Sequence, residues 1–207
     1  MAQPKNQAAA AGARYAERMN SFWIEPQKRD VMGYKLQGIA DGVVVPQGTP
    51  LKVDDKAKTA EVCRYAYVRA VSNDKKTLTV DPGHFMDAST KVAISGADTL
   101  VQINIASVKA GKSVGEGDTI VLSAANSTIK AGDVLVEVAS DGSAVAAKAL
   151  PNRVASASSD IHGTVPAAHE ALLIRNVVNY PAEYLNETTY PGTTTLVGNP
   201  AIRFMYQ

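Results

Sequence analysis

The feature that most restricts how this chain can fold is a unit that occurs three times: a tight glycine-containing corner beside a short apolar strand. Gly42 to Val53 reads GVVVPQGTPLKV, Ser113 to Ser123 reads SVGEGDTIVLS, and Thr128 to Val138 reads TIKAGDVLVEV. β-Branched residues suit a pleated surface, while Pro46 and Gly48 force a turn, so Val43 to Val45 and Leu51 to Val53 are expected as strands. Further turn signals lie at SNDKK (Ser72 to Lys76), Asp81-Pro82-Gly83, Ser95 to Asp98 and Ser140 to Ser143. Spacings of roughly 8 to 12 residues between turns are the mark of a sandwich or barrel. No segment between residues 38 and 150 holds a helical period.

Ala60 to Val71 (AEVCRYAYVRAV) reads as one long alternating strand. Val62, Arg64, Ala66, Val68 and Ala70 share one face, and Cys63, Tyr65, Tyr67, Arg69 and Val71 the other. Apolar residues on both faces predict a strand packed on both sides or at an interface. After Pro151 the pattern changes. Pro166 to Asn179 (PAAHEALLIRNVVN) is the best internal helix candidate, with a buried strand over Leu172 to Val178 as the alternative. Pro181, Pro191 and Pro200, with Gly192, Gly198 and three consecutive threonines, predict an extended tail ending in Ala201 to Tyr206 (AIRFMY), apolar enough to add a strand here or on a partner.

The expected architecture is mainly β: an antiparallel β-barrel or β-sandwich body, with a flexible, partly helical N-terminal arm and an extended C-terminal tail. Residues 1–24 form the arm, 25–150 the β body and 151–207 the C-terminal extension. The arm is rich in Ala and Gln and offers little to bury. It ends on Phe22, Trp23 and Ile24, which include the only tryptophan, and this cluster serves either as a core plug or as an anchor into a neighbouring subunit. With Phe204 and Tyr206 of the tail, these residues are the candidate partner contacts.

Composition removes several classes of function. The 207 residues carry 21 basic and 20 acidic side chains, a formal charge of +1, so nothing in the totals calls for nucleic acid or an anionic membrane. A single cysteine excludes an internal disulfide and a multi-cysteine metal site. No run of about 18 apolar residues spans a bilayer, and the N-terminus lacks the apolar core of a secretory signal, so the chain is expected to be assembled inside a cell.

The candidates for chemistry are each better read as structure. Ala106 to Ser113 (ASVKAGKS) matches the relaxed phosphate-binding loop, but that loop must run into a helix N-terminus, and Val-Gly-Glu-Gly-Asp follows instead. His84, His162 and His169 lack metal-ligand spacing. No Gly-x-Ser-x-Gly elbow exists, and Cys63 sits mid-strand as a packed hydrophobe rather than beside a base. Asp54 and Asp55 read as solvating charges on a hairpin tip, and Asp118 and Asp133 as turn caps rather than calcium ligands. Asn126 and Asn186 stand in glycosylation sequons that matter only on an export route. Arg64, Tyr65, Tyr67 and Arg69 favour protein packing over nucleic-acid stacking. The chain is therefore expected to bind rather than catalyse, with no cofactor and no metal.

In GVVVPQGTPLKV, SVGEGDTIVLS and IKAGDVLVEV the chain resembles the capsid-decorating and head-fibre proteins of tailed bacteriophages, which carry a Val-Val-Pro-x-Gly-Thr-Pro-Leu phrase, Ala-rich composition and short Gly-Asp corners. The resemblance covers residues 38 to 150. It implies a β domain, commonly a homotrimer, bound to the outside of an icosahedral shell through the major capsid protein, assembled in the host cytoplasm and located on the virion exterior. The N-terminal arm would be the shell-binding element. The rival expectation is a carbohydrate-binding β module on a host-facing surface, with Tyr65, Tyr67, Tyr180 and Tyr184 as stacking faces.

Overall fold

A computed structural model describes residues 28–29, 33–113, 115–141, 144–174, 179–187 and 193–205. The first strands are β1 (Lys28–Arg29), β2 (Tyr34–Gln37), β3 (Pro50–Asp54), β4 (Thr59–Val62), β5 (Tyr65–Val71) and β6 (Thr77–Val80). The middle of the chain adds β7 (Lys91–Ile94), β8 (Ile103–Lys109), β9 (Asp118–Leu122), β10 (Val134–Asp141) and β11 (Ala144–Ala147). The C-terminal part adds β12 (Arg153–Ala155), β13 (Thr164–Val165), β14 (Ala167–Ile174), β15 (Leu185–Glu187), β16 (Thr193–Leu196) and β17 (Asn199–Met205). The chain is mainly β, and the described residues hold one 3-10 turn, Ala182–Tyr184.

Six strands close a barrel. Going round it, β5 pairs with β6, β6 with β9, β9 with β8, β8 with β7, β7 with β10, and β10 returns to β5, every pair antiparallel. Closure leaves no open edge on this unit and satisfies its backbone donors and acceptors internally. Inward-facing residues fill it: Val68, Leu78, Val80, Met86, Val92, Ile120 and Leu135 are all fully buried in one cluster. The alternation BiBiB along β9 shows why Asp118-Thr-Ile-Val-Leu makes a strand of this wall.

A second unit is built from both ends of the described chain. β2 lies parallel to β4, β4 forms a hairpin with β3, β3 pairs with β12, and β12 with the start of β14. β13 pairs with β2. Only Pro166 separates β13 from β14, and its carbonyl accepts the Ser156 N–H at 2.9 Å, so the two are one bent strand that completes a ring. Tyr34, Val45, Leu51, Ala155, Val165 and Ala167 pack in its interior. Beyond the ring, β14 continues parallel to β17, followed by β16 and β15. Leu173, Leu196, Ile202 and Phe204 form the core beneath this extension.

Four expectations are corrected. The division at residue 150 fails, because residues 153–154 pair with β3 and residues 164–165 with β2, and the barrel is an insertion between them. Pro166 to Asn179 is not a helix over its described part: residues 167–174 form β14, because pairing with β12 and β17 outweighs the helix preference of Ala, Glu and Leu. Val43 to Val45 is not a strand, and its backbone is held instead by Ser159, whose Oγ accepts the Val45 N–H at 2.9 Å. The long strand over residues 60–71 breaks at Cys63 and Arg64 into β4 of the ring and β5 of the barrel. The C-terminal tail supplies β15, β16 and β17, while the N-terminal arm lies outside the described residues.

Gly117 marks a close approach of two barrel strands. A Cβ there would stand 2.5 Å from Thr79 Cγ2 and 2.8 Å from the Val80 carbonyl oxygen. Gly117→Ala is therefore expected to cost about 1 to 3 kcal/mol in urea unfolding. At Gly132, where φ is +97° and nothing lies within 4 Å, alanine meets only the backbone penalty, and about 1 kcal/mol is expected.

Candidate functional site

Of the five candidate partner contacts, Phe22, Trp23, Ile24 and Tyr206 lie outside the described residues. Phe204 is placed, and it is a correction: its ring is fully buried in this chain's own core, 5.5 Å edge-on from Tyr180. β17 alternates, so Ile202 and Phe204 turn inward and Met205 is the exposed apolar side chain of the segment. Three of the four tyrosines named as glycan-stacking faces are also consumed. Tyr184 is buried, Tyr180 is buried, and Tyr65 packs edge-on against both, at 6.3 and 5.5 Å. No stacking platform is left among these three, and the carbohydrate reading loses three of the four residues that suggested it, Tyr67 on β5 being half-buried.

The polar groups that the structure does bring together stand where the ring meets the barrel. Glu137, on β10, is almost fully buried, with Lys148 Nζ at 3.0 Å and Arg64 Nη1 at 3.8 Å from its Oε1. Its backbone repeats the pattern: the Glu137 N–H donates to the Arg64 carbonyl, and its carbonyl accepts from the Lys148 N–H, both at 3.0 Å. Arg64 also donates to the Gly38 carbonyl at 3.2 Å and lies 3.4 Å from Thr90 Oγ1 and 4.0 Å from Asp87. Burial pushes the Asp87 carboxyl up, but the Ser89 hydroxyl and amide, Thr90 and Arg64 outweigh it and hold the group below the usual carboxylate range. Cys63 and Tyr184 pack beside this knot, and burial pushes both the thiol and the phenol up. Sequence reasoning missed the knot because Arg64 is far in the chain from Glu137 and Lys148, and an isolated charge in a strand carries no partner signal.

The other flagged groups bind their own loops. In the segment resembling a phosphate loop, the Lys112 and Ser113 amides donate to Glu116 Oε2 at 2.6 and 3.2 Å, and the Gly111 amide to Asp118 Oδ1 at 2.8 Å. These are the amides an anion would need. Asp133 caps its corner by accepting the Lys130 N–H at 2.8 Å. Asp54 accepts the Lys56 and Ala57 amides at 2.9 Å, and Asp55 accepts from Tyr34 Oη at 2.6 Å and Arg153 at 3.2 Å. Asp118 stands 3.5 Å from the buried His84. Among the described residues no three His, Cys, Asp or Glu side chains are grouped to hold a metal ion, and no helix is long and apolar enough to cross a membrane.

An open depression of about 440 Å3 runs over β3 and β4, lined by Lys52, Asp54, Asp55, Lys56 and Glu61 among others. Among the described residues the exposed large apolar side chains, Val101, Ile161, Leu150 and Met205, sit on loops or strand ends. Comparison with known proteins adds no name to this geometry: no family model, no curated protein and no solved structure matches the chain.

The junction gives two expected outcomes. Glu137→Ala leaves Arg64, with a side chain 16 % exposed, facing an emptied site, and a loss of about 3 kcal/mol or more is expected in urea unfolding. Cys63, 1 % exposed and with its thiol pushed up, should resist alkylation at mildly alkaline pH in the native protein and react fully in concentrated guanidinium.

Proposed function

We propose that this chain is a structural subunit of a phage virion that decorates the outer surface of the capsid, or forms the base of a head fibre, by non-covalent protein contacts and without catalysis. The observation that carries the reading is that the polar groups suited to chemistry are committed to the fold itself: the loop amides are taken by Glu116 and Asp118, the acidic corner residues by their own turns, and the buried carboxylate by Arg64 and Lys148. A body of this kind is suited to presenting a rigid surface. The sequence phrases shared with decoration and head-fibre proteins point to the partner, the major capsid protein.

In this reading the β units self-associate as a homotrimer and residues 1–24 reach to the shell. Burial of Phe22 and Trp23 in a neighbour would contribute about 1.5 to 3 kcal/mol for each large side chain. The deletion tests it directly, because the described body begins only at Lys28. Chain lacking residues 1–24 is expected to keep the circular dichroism and cooperative unfolding of the β body, and to lose co-sedimentation with purified heads. A truncated chain that still decorates heads overturns the assignment of the arm.

A further inference from the structure

The segment between β6 and β7 threads between the two β units, and one histidine holds it in place. His84 is 5 % exposed. Its Nδ1 accepts the Met86 N–H at 3.0 Å, and its Nε2 faces Asp118 Oδ2 at 3.5 Å. The ring therefore carries its single proton on Nε2, toward the carboxylate, and uses Nδ1 as an acceptor. Phe85, between them, has φ +55°, a left-handed conformation that a bulky residue adopts only when its surroundings impose it. The consequence is a division of labour between neighbours: Met86 is fully buried in the barrel core, while Phe85 packs on the interior cluster of the ring. Asp87 and Thr90 then meet Arg64 at the joint. The His84–Met86 hydrogen bond thus fixes the turn that lets one short segment grip both units.

We propose that His84 is an acid-sensitive latch: a second proton on its ring turns Nδ1 from acceptor to donor against the Met86 N–H, and releases residues 83–90 from between the ring and the barrel. Two donors facing each other in a dry site leave both unsatisfied. The proton comes from solvent, and Asp118 stabilises the cation once formed. The other charged groups gathered at this end of the barrel are Asp81 and Arg69, which pair with each other, and Arg69 also donates to the Gly115 carbonyl at 2.7 Å. Within the segment Asp87 titrates as well. Its carboxylate is held low, so its contribution persists above the usual carboxylate range and is lost only at more acid pH. The hold on the segment is the Met86 N–H bond to the neutral ring: it is present with that ring and is lost as pH falls, while the cation keeps its pairing with Asp118.

The experiment is hydrogen–deuterium exchange of the full chain, read over residues 81–92 and corrected for intrinsic rates, with His84→Asn as the companion. Asparagine places Oδ1 where Nδ1 stands, accepts the same amide two residues on, and does not titrate. The wild type should lose protection in this segment by about tenfold between neutral pH and about pH 5, and His84→Asn should keep it. An unchanged wild type, or an equal loss in His84→Asn, overturns the latch. Should the variant fail to fold, imidazole nitrogen shifts of the wild type decide. Protonation of His84 in step with faster Met86 exchange supports the proposal, and a segment that opens while His84 stays neutral overturns it.

Discussion

Glu137 is the residue on which the two halves of this molecule converge. The chain leaves the ring for the barrel at Arg64 and has completed the β10–β11 hairpin by Lys148, and Glu137 is bonded to both residues twice, through its backbone and through its carboxylate. The strand that carries it, β10, pairs with β5 on one edge and β7 on the other, and these pairings close the barrel. A buried carboxylate is costly to desolvate and is tolerated only where opposite charge and hydrogen bonds surround it. The same group therefore closes the joint and makes any other meeting of Arg64 and Lys148 unfavourable, which fixes how an inserted barrel sits on the unit that hosts it.

The insertion explains the other contacts between the units. Residues that pair across the ring are about a hundred positions apart, as Leu51 and Arg153 are, so the ring forms only when both ends of the barrel insert are brought together. Smaller ties add to the joint. Glu183 accepts the Ser95 hydroxyl at 2.6 Å and the Gly96 amide at 2.9 Å, and Tyr184 Oη donates to the Arg64 carbonyl at 3.1 Å. Phe85 and Met86 add an apolar staple, one side chain to each core. A body whose loop amides are capped by its own carboxylates is the physical basis for the structural role proposed for this chain.

Much of the strand content was legible because half-buried strands write their alternation into the sequence. β3 and β9 alternate as expected, and the Gly-Asp corners at Asp118 and Asp133 are side-chain-capped turns. The misreadings occur where a segment is buried on both faces or changes partner. β14 is apolar at both ends, at Ala167-Ala168 where β12 pairs and at Ala171 to Ile174 where β17 pairs, and two cores meet on it, a pattern that does not distinguish strand from helix. The break at Cys63 and Arg64 left no glycine or proline to announce it, since the bend is held by long-range bonds to Glu137 and Gly38. Phe204 is ambiguous in the sequence because an apolar residue in a terminal segment is compatible with either a partner or the chain's own core.

The sequence by itself determined the class: a mainly β chain with short strands and tight corners. Those properties are local, set by branching at Cβ, by glycine and proline in turns, and by the identity of neighbours in sequence. Only the tertiary structure decided that a closed six-strand barrel interrupts a ring built from both ends, that Phe204 and three of the tyrosines are spent on packing, and that His84, Asp118, Glu137 and Arg64 have the partners they do. Each of these depends on residues from tens to about a hundred positions apart meeting in a dry site, where hydrogen bonds and charge pairs are strong and no local pattern records them.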